Sequence, residues 1–220
     1  MAKARLAYLV QPKKVNGVEG EAIVELREHE IPTPGPGEIL VKVEGCGICG
    51  TDVHEYRYDP FGMAPVVLGH EGTGEVIALG KNVKCDTAGK PLKVGDKIVT
   101  SVISCGDCYN CRMTPGRTNL CANQGVFGLI GDKRGTDEGN RANGWFADYM
   151  LIRGGEASGA TFFQVNELNL KQRMILELAC VCVHALERGQ KTGLLNFGSK
   201  VLVQGCGPVG LVMITVLRAA

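Results

Sequence analysis

The chain has 220 residues, of which 24 are basic and 23 acidic, and a formal net charge of +1. This length allows one or two domains with a substantial core, and the balanced charge gives no indication of nucleic acid or an anionic membrane as a partner. The N-terminal stretch has no apolar run typical of a signal peptide, and no run reaches transmembrane length. Ten cysteines could indicate a disulfide scaffold, but the chain is too long for a stapled mini-domain and four of the cysteines form a metal-like cluster, so a reducing cytoplasm is expected.

Short strand patterns separated by glycine-rich turns fill most of the chain. The predicted strands span 5–10, 22–26, 39–46, 72–80, 93–103 and 145–152. A proline and glycine turn at 31–37 cannot continue either neighbouring strand, and a short helix is predicted at 50–57. Two polar segments, 84–93 and 131–143, are predicted to be an insertion between strands and a loop. The pattern favours an antiparallel barrel or sandwich.

The pattern becomes helical from Asn169 to Gly189. A continuous apolar run, KVLVQ at 200–204, then indicates a parallel-sheet strand covered on both faces, and an apolar helix follows. Between them lies G-x-G-x-x-G, which in this context is a dinucleotide fingerprint because glycines permit a tight turn and close approach of the pyrophosphate to the helix N-terminus. The residues predicted to bind the cofactor are Gly205, Gly207, Pro208, Val209 and Gly210.

The residue that selects NAD or NADP is expected about 20 residues beyond this fingerprint, so the choice between the two stays open. One parallel strand also cannot bury both of its faces. The sequence therefore predicts the N-terminal portion of a longer protein, which should bind cofactor poorly by itself.

A candidate metal centre lies between residues 45 and 71. Cys49 and His70 are a soft thiolate and an imidazole, the ligand types that suit zinc. Asp52 is placed to accept the spare ring N–H of a metal-bound histidine. Glu71 follows the histidine directly.

Two further side chains in the same segment offer a route for a proton. Thr51 and His54, a hydroxyl and an imidazole, lie beside the predicted ligand Cys49 in the sequence. The alternative roles are a helix cap for Thr51 and a surface histidine for His54.

A second metal site is predicted from cysteine spacing alone. The pattern C-x2-C-x2-C-x9-C comprises Cys105, Cys108, Cys111 and Cys121. Four thiolates close a tetrahedral zinc site and leave no open position, which makes such a site structural. It would stabilise a long surface loop by coupling metal binding to folding.

The strings C-G-T-D-x-H and G-H-E, the cysteine cluster and the glycine fingerprint follow one another as in the zinc-dependent medium-chain alcohol and polyol dehydrogenases, which the chain resembles. The resemblance implies a partly open, mostly β barrel of the GroES type with a zinc lobe over 1–177. The first β-α of a Rossmann domain would then occupy 178–220.

The resemblance also implies an activity. Zinc and a nicotinamide cofactor, NAD or NADP, would support hydride transfer from an alcohol or polyol CH–OH group. Thr51, Asp52 and His54 would form the catalytic set, with Glu71 on the side of the metal away from the substrate. A homo-oligomer, either a dimer or a tetramer, is expected at full length.

An open zinc site needs a third protein ligand. In the polyol, butanediol and threonine dehydrogenase-like branches of the family, a glutamate occupies this place, often with a histidine closing the same string. The interval from Glu177 to His184 matches that branch, which selects Glu177 as a ligand, directly or through water. Cys180 remains the alternative, as in the alcohol dehydrogenase branch.

Other classes of protein remain open at this point. A medium-chain reductase of activated double bonds would generally lack the zinc ligands. A zinc-binding interaction module without catalysis, or a purely structural role, would leave the glycine fingerprint without a use. Cys46 and Cys49 form a C-x-x-C that could indicate a redox dithiol, although the neighbouring T-D-x-H and G-H-E strings argue against it.

Overall fold

The computed structural model describes residues 3–15, 17–115, 117–129, 144–153 and 162–220. The chain divides into two compact units, Met1–Met174 and Ile175–Ala220. The predicted boundary between residues 177 and 178 lies slightly beyond this division and stays a prediction. The loop predicted at 131–143 lies outside the described residues.

The first unit is built mainly from strands. These are β1 (Lys3–Gln11), β2 (Lys14–Val15), β3 (Val18–Glu19), β4 (Ile23–Glu30), β5 (Glu38–Gly47), β6 (Val66–Val67), β7 (Glu71–Leu79), β8 (Lys97–Thr100), β9 (Tyr149–Arg153) and β10 (Phe162–Gln164). Its helices are α1 (Gly50–Tyr58), α2 (Tyr109–Met113) and α3 (Leu170–Met174), with a 3₁₀ turn at Thr118–Leu120. The second unit contains α4 (Leu176–Lys191) and α5 (Pro208–Ala219).

Strands β2 and β3 pair with each other, and the remaining strands form two antiparallel sheets. One has the order β10-β8-β7-β5-β9 and the other β4-β1-β6. A bridge between Leu6 and Ala147 links the sheets, and the Ala7 N–H donates to the Phe146 carbonyl at 2.8 Å. This arrangement confirms the predicted mostly β, partly open barrel.

The core lies against the five-stranded sheet. Its buried side chains come from adjacent strands and from the segment before β9, and include Ile39, Val41, Val76, Ile98, Trp145, Met150 and Ile152. The indole N–H of Trp145 donates to the Thr100 hydroxyl at 3.1 Å, so its polar atom is satisfied inside the core. A Cβ on Gly72 would collide with the Trp145 ring, and glycine is therefore required beside the predicted ligand Glu71.

Some predicted elements differ in the structure. β9 begins at Tyr149 and not at residue 145, because the Trp145 and Phe146 N–H groups donate to the carbonyls of Gly69 and Leu68 instead of to a strand. The predicted long helix is divided at Ile175 into α3 and α4. Residues 200–204 form no strand, since none of the described residues pairs with them. Among the described residues, no helix combines the length and apolarity needed to cross a membrane.

Asp96, in the turn before β8, is buried and fully engaged. Its carboxylate accepts from the Lys93 N–H and ammonium, both at 2.8 Å, and from the Asn166 amide at 2.9 Å. Burial opposes the charge, but these donors outweigh it and lower the pKa of Asp96 to about 2. This turn explains why β8 is shorter than predicted.

We expect Asp96→Asn to destabilise the first unit at neutral pH. Because the folded pKa lies below the unfolded value, the stabilisation is present above pH 3.8 and is lost as pH falls through about 2. The variant should lose roughly 2 kcal/mol in urea unfolding at pH 7 and much less near pH 2. Glu167→Gln, which removes the charge from the exposed pair with Lys90, is the control and should stay within about 0.5 kcal/mol of the parent.

Candidate functional site

Three predicted ligands lie together at the edge of the sheet where β5 ends and β7 begins. Ligand atoms of Cys49, His70 and Glu71 all lie within 4.8 Å of one another. Cys49 is the N-cap of α1, which follows β5, and Glu71 is the first residue of β7. A thiolate, an imidazole and a carboxylate at this spacing form a donor set that suits zinc.

Asp52 ties the elements of this centre together. One carboxylate oxygen accepts from the Cys49 N–H at 2.8 Å, and the other accepts from the Gly69 N–H at 3.1 Å. The second oxygen also lies 3.4 Å from Nδ1 of His70. Since Asp52 is only 3% exposed, one buried carboxylate orients both ligand-bearing segments and leaves Nε2 of His70 for a metal.

The His70 ring is also buried, and its Nδ1 makes no well-aligned hydrogen bond among the described residues. Burial opposes a charge on the ring, but the carboxylate of Asp52 and the sulfur of Cys49 outweigh this effect and raise the pKa of His70 to about 9. Asp52 and Cys49 therefore favour a positive charge at the ring of His70. Such an environment fits a divalent cation.

The predicted proton path begins at the centre and extends along α1. The Thr51 hydroxyl lies 3.7 Å from Sγ of Cys49 and is half-buried. His54, one turn further along the same helix, is exposed. The two side chains thus sit at the inner and outer ends of a short segment of one helix.

The redox alternative for Cys46 is not favoured by its surroundings. Burial raises the pKa of the Cys46 thiol to about 12, and its Sγ donates to the Gly47 carbonyl at 3.2 Å. A redox dithiol needs an accessible thiolate. All ten cysteines lie among the described residues, and all are free thiols.

The four-cysteine cluster is also assembled. Ligand atoms of all its members, Cys105, Cys108, Cys111 and Cys121, lie within 4.8 Å of one another. The lobe leaves the barrel through a two-way hydrogen-bonded bridge between Ile103 and Gly125, at 2.7 and 2.9 Å. Cys121, which follows Cys111 after nine intervening residues, therefore lies beside the three more closely spaced cysteines.

Backbone N–H groups surround these sulfurs. Cys108 donates to Sγ of Cys105 at 3.3 Å, and both Cys105 and Asn123 donate to Sγ of Cys121, at 3.2 and 3.4 Å. The N–H groups of Ala122 and Cys111 lower the pKa of Cys108 to about 6. Burial and the neighbouring thiol of Cys108 raise the pKa of Cys111 to about 12, so the backbone donors favour a thiolate at Cys108 in particular. The convergence of four sulfurs fits a structural zinc ion.

The glycine fingerprint forms a tight turn in the second unit. Gly205 has a φ of +109°, and a Cβ on Gly210 would collide with its carbonyl oxygen. Gly207 is the N-cap of α5, and Pro208 and Val209 begin the helix. Proline at the first helical position is favourable because no N–H is needed there.

The candidate third ligands lie in α4 of the second unit. Glu177 is in the first turn and is half-buried, whereas Cys180 is exposed. Their assignment to the metal centre of the first unit stays a prediction.

Comparison with known proteins agrees with the site. The alcohol dehydrogenase GroES-like domain family matches residues 35–159. The starvation-sensing protein RspB of Escherichia coli is 34% identical over 87% of the chain and 49% of its own length, and the Bacillus subtilis (R,R)-butanediol dehydrogenase is 31% identical over 90% and 52%. The chain thus spans about half the length of the curated relatives it matches.

Solved structures show the same fold. An alcohol dehydrogenase from Thermotoga maritima superposes with a TM-score of 0.78, at 28% identity, over all of this chain and 56% of its own. An RspB alcohol dehydrogenase from E. coli, complexed with NADH, superposes with a TM-score of 0.73, also at 28% identity, over 99% and 54%. The chain belongs to the zinc-dependent medium-chain alcohol and polyol dehydrogenases.

Proposed function

We propose that this chain provides the catalytic zinc centre and the start of the nucleotide-binding fold of an alcohol or polyol dehydrogenase. The observation that carries the proposal is the convergence of Cys49, His70 and Glu71 within 4.8 Å, backed by the buried carboxylate of Asp52. Members of the reductase branch that act on activated double bonds generally lack such ligands. A zinc module without catalysis has no use for Thr51 or for the glycine turn.

In this proposal each residue has a defined task. Cys49 and His70 hold the metal, and Asp52 fixes both of them. Zinc held there would act as a Lewis acid on an alcohol oxygen and increase its acidity. The Thr51 hydroxyl would accept the alcohol proton while it releases its own proton towards His54, and His54 would pass a proton to solvent. NAD or NADP, held at the turn of Gly205, Gly207 and Gly210, would supply the hydride acceptor, so that the alcohol would be oxidised and the cofactor reduced.

Glu71 and Glu177 complete the proposed coordination. Glu71 lies with Cys49 and His70 in the structure and would approach the metal on the side away from the substrate. Glu177 is the proposed third ligand, and Cys180 is the second candidate. The interval between Glu177 and His184 supports the glutamate, as in the branch that includes the butanediol and threonine dehydrogenases.

The cofactor would bind at the turn formed by Gly205, Gly207 and Gly210, with its pyrophosphate at the N-terminus of α5. The domain division proposed is 1–177 and 178–220. A cytoplasmic location is supported by ten free thiols. We also propose that the full-length protein is a homo-oligomer. The residues of this chain should bind the cofactor poorly by themselves and should show no turnover without further residues of the nucleotide-binding domain.

We expect two zinc ions per chain in metal-replete protein, because the two ligand sets are separate. Elemental analysis combined with chelator titration measures both. Cys49→Ala should lower the count to one and leave the cysteine cluster loaded. Glu177→Ala should weaken retention of the catalytic ion more than Cys180→Ala does.

If the parent protein contains one zinc ion per chain and Cys108→Ser contains none, only the structural site is present and the proposed function is contradicted. The exposed Cys206 provides a matched control, since Cys206→Ala should retain both ions. The reverse ranking of Glu177 and Cys180 would assign the third ligand to Cys180.

A further inference from the structure

A β-bulge in β5 lies shortly before the chain reaches the metal centre. Two residues of β5, Glu44 and Gly45, together oppose the single residue Thr73 of β7. Beyond the bulge, the register brings Gly47 opposite Glu71. Because a slip of one residue turns every following side chain to the other face of a sheet, this bulge decides how β5 and β7 present the metal ligands.

Arg173 of α3 binds both sides of that bulge. Its side chain is 7% exposed, and its Nη2 donates to Oε2 of Glu44 at 2.7 Å. Its Nε donates to the Thr73 hydroxyl at 3.2 Å, and its Nη1 donates to the Leu168 carbonyl at 2.8 Å. One rigid guanidinium thus connects the bulged residue, the residue opposite it and the segment before α3.

A second cation, Lys97, and a second carboxylate, Glu75, extend the ion-pair network of Arg173 and Glu44. Lys97 of β8 donates to Oε1 of Glu44 at 2.8 Å and to Oε2 of Glu75 at 2.6 Å. The Thr73 hydroxyl in turn donates to the Ile98 carbonyl at 2.8 Å. The network therefore crosses three neighbouring strands, and Glu44 is shared between two cations.

The position of α3 depends on these contacts. With five residues, it is too short to be stable as an isolated helix. Its last residue, Met174, packs so closely over Gly45 that a Cβ there would lie 2.8 Å from the Met174 sulfur. Helix α3 therefore contacts the bulge through packing of Met174 and through the hydrogen bonds of Arg173.

We propose that Arg173 is a positioning residue for the metal centre, because it clamps the β5 bulge and so maintains the register that brings Cys49, His70 and Glu71 together. The inference rests on the proposed function, since it assumes a metal at that centre. A guanidinium is required, because a lysine ammonium cannot bond three acceptors in one plane.

The test uses Co²⁺ as a spectroscopic probe in protein whose cysteine cluster is loaded with zinc. Arg173→Met, which keeps the length of the side chain, should weaken Co²⁺ binding at the Cys49 centre by about 3- to 30-fold. It should also shift the visible absorption bands of the bound Co²⁺, which report ligand geometry, while the cluster keeps its metal. Arg173→Lys should shift the Co²⁺ absorption bands in the same direction but by less. If the methionine variant does not fold, the lysine variant is used for the test.

Lys90→Ala breaks an exposed ion pair with Glu167 and is the matched control, with no expected change in either readout. If the parent protein binds Co²⁺ at the Cys49 centre and the Arg173→Lys variant binds it with the same affinity and the same spectrum, this inference is wrong and the proposed function stands. A parent protein that binds no Co²⁺ at that centre would overturn the proposed function together with the inference.

Discussion

Replacing Thr51 with valine should nearly abolish alcohol oxidation while leaving both metal ions bound. Valine has the shape of threonine but no hydroxyl, and Thr51 is the half-buried group that lies 3.7 Å from the ligand sulfur of Cys49. Loss of a proton-transfer group costs about 10²–10⁴-fold in rate. Turnover is measured with the chain extended to the length of its relatives, and the metal count is measured on the same sample.

His54→Gln is the matched variant at the outer end of the same path. Since His54 is exposed, water and buffer can replace it in part, so its loss should be smaller and should be partly rescued by imidazole buffer or high pH. If the pH–rate profile is unchanged in His54→Gln, the histidine is not in the path and Thr51 delivers its proton directly to water. Normal turnover by Thr51→Val with both metals bound would exclude Thr51 from the chemistry.

The second large effect is expected in the cysteine lobe. Cys111→Ser removes one of four converging sulfurs from a segment whose own helix, α2, has five residues. By analogy with the loss of a native cross-link, the first unit should lose about 2–5 kcal/mol of stability. The melting temperature should then fall by roughly 5–15 °C, and trypsin should cut at Arg112 and Arg117 in the metal-replete variant but not in the parent.

The Co²⁺ spectrum of the Cys49 centre should be unaffected, because the lobe joins the barrel through the Ile103–Gly125 bridge and supplies no ligand to that centre. Cys85→Ser is the control, since Cys85 is exposed and belongs to neither ligand group. Unchanged melting and proteolysis in Cys111→Ser would show that the lobe holds no structural metal.

Much of the metal chemistry could be predicted from local sequence. Cys49, Thr51 and Asp52 are close along the chain, and a short helix following a strand necessarily places them near one another. The proposed cluster ligands Cys105, Cys108 and Cys111 have spacings that let their sulfurs converge on one ion. The glycine turn is likewise encoded locally, since Gly205 requires a positive φ and Gly210 close backbone contact.

Other features depend on contacts between residues far apart in sequence. Asp52 could be assigned to His70, but its bond to the Gly69 N–H depends on how β7 enters the sheet. The late start of β9 follows from tertiary hydrogen bonds that local propensity does not contain. The absence of a strand at 200–204 has the same origin, because a strand forms only against a neighbour.

Arg173 shows most clearly where sequence information ends. In the sequence it is one arginine in a helical pattern, and its only signal is a charge next to the apolar residues Met174 and Ile175. Its role depends on the bulge at Glu44, which exists only once β5 is paired with β7. The residue types of the proposed ligands, their local spacing and the alternation that builds the barrel can be derived from the sequence, because they depend on neighbours along the chain. The register that brings the proposed ligands together cannot, because strand pairing and burial join residues that are distant in sequence.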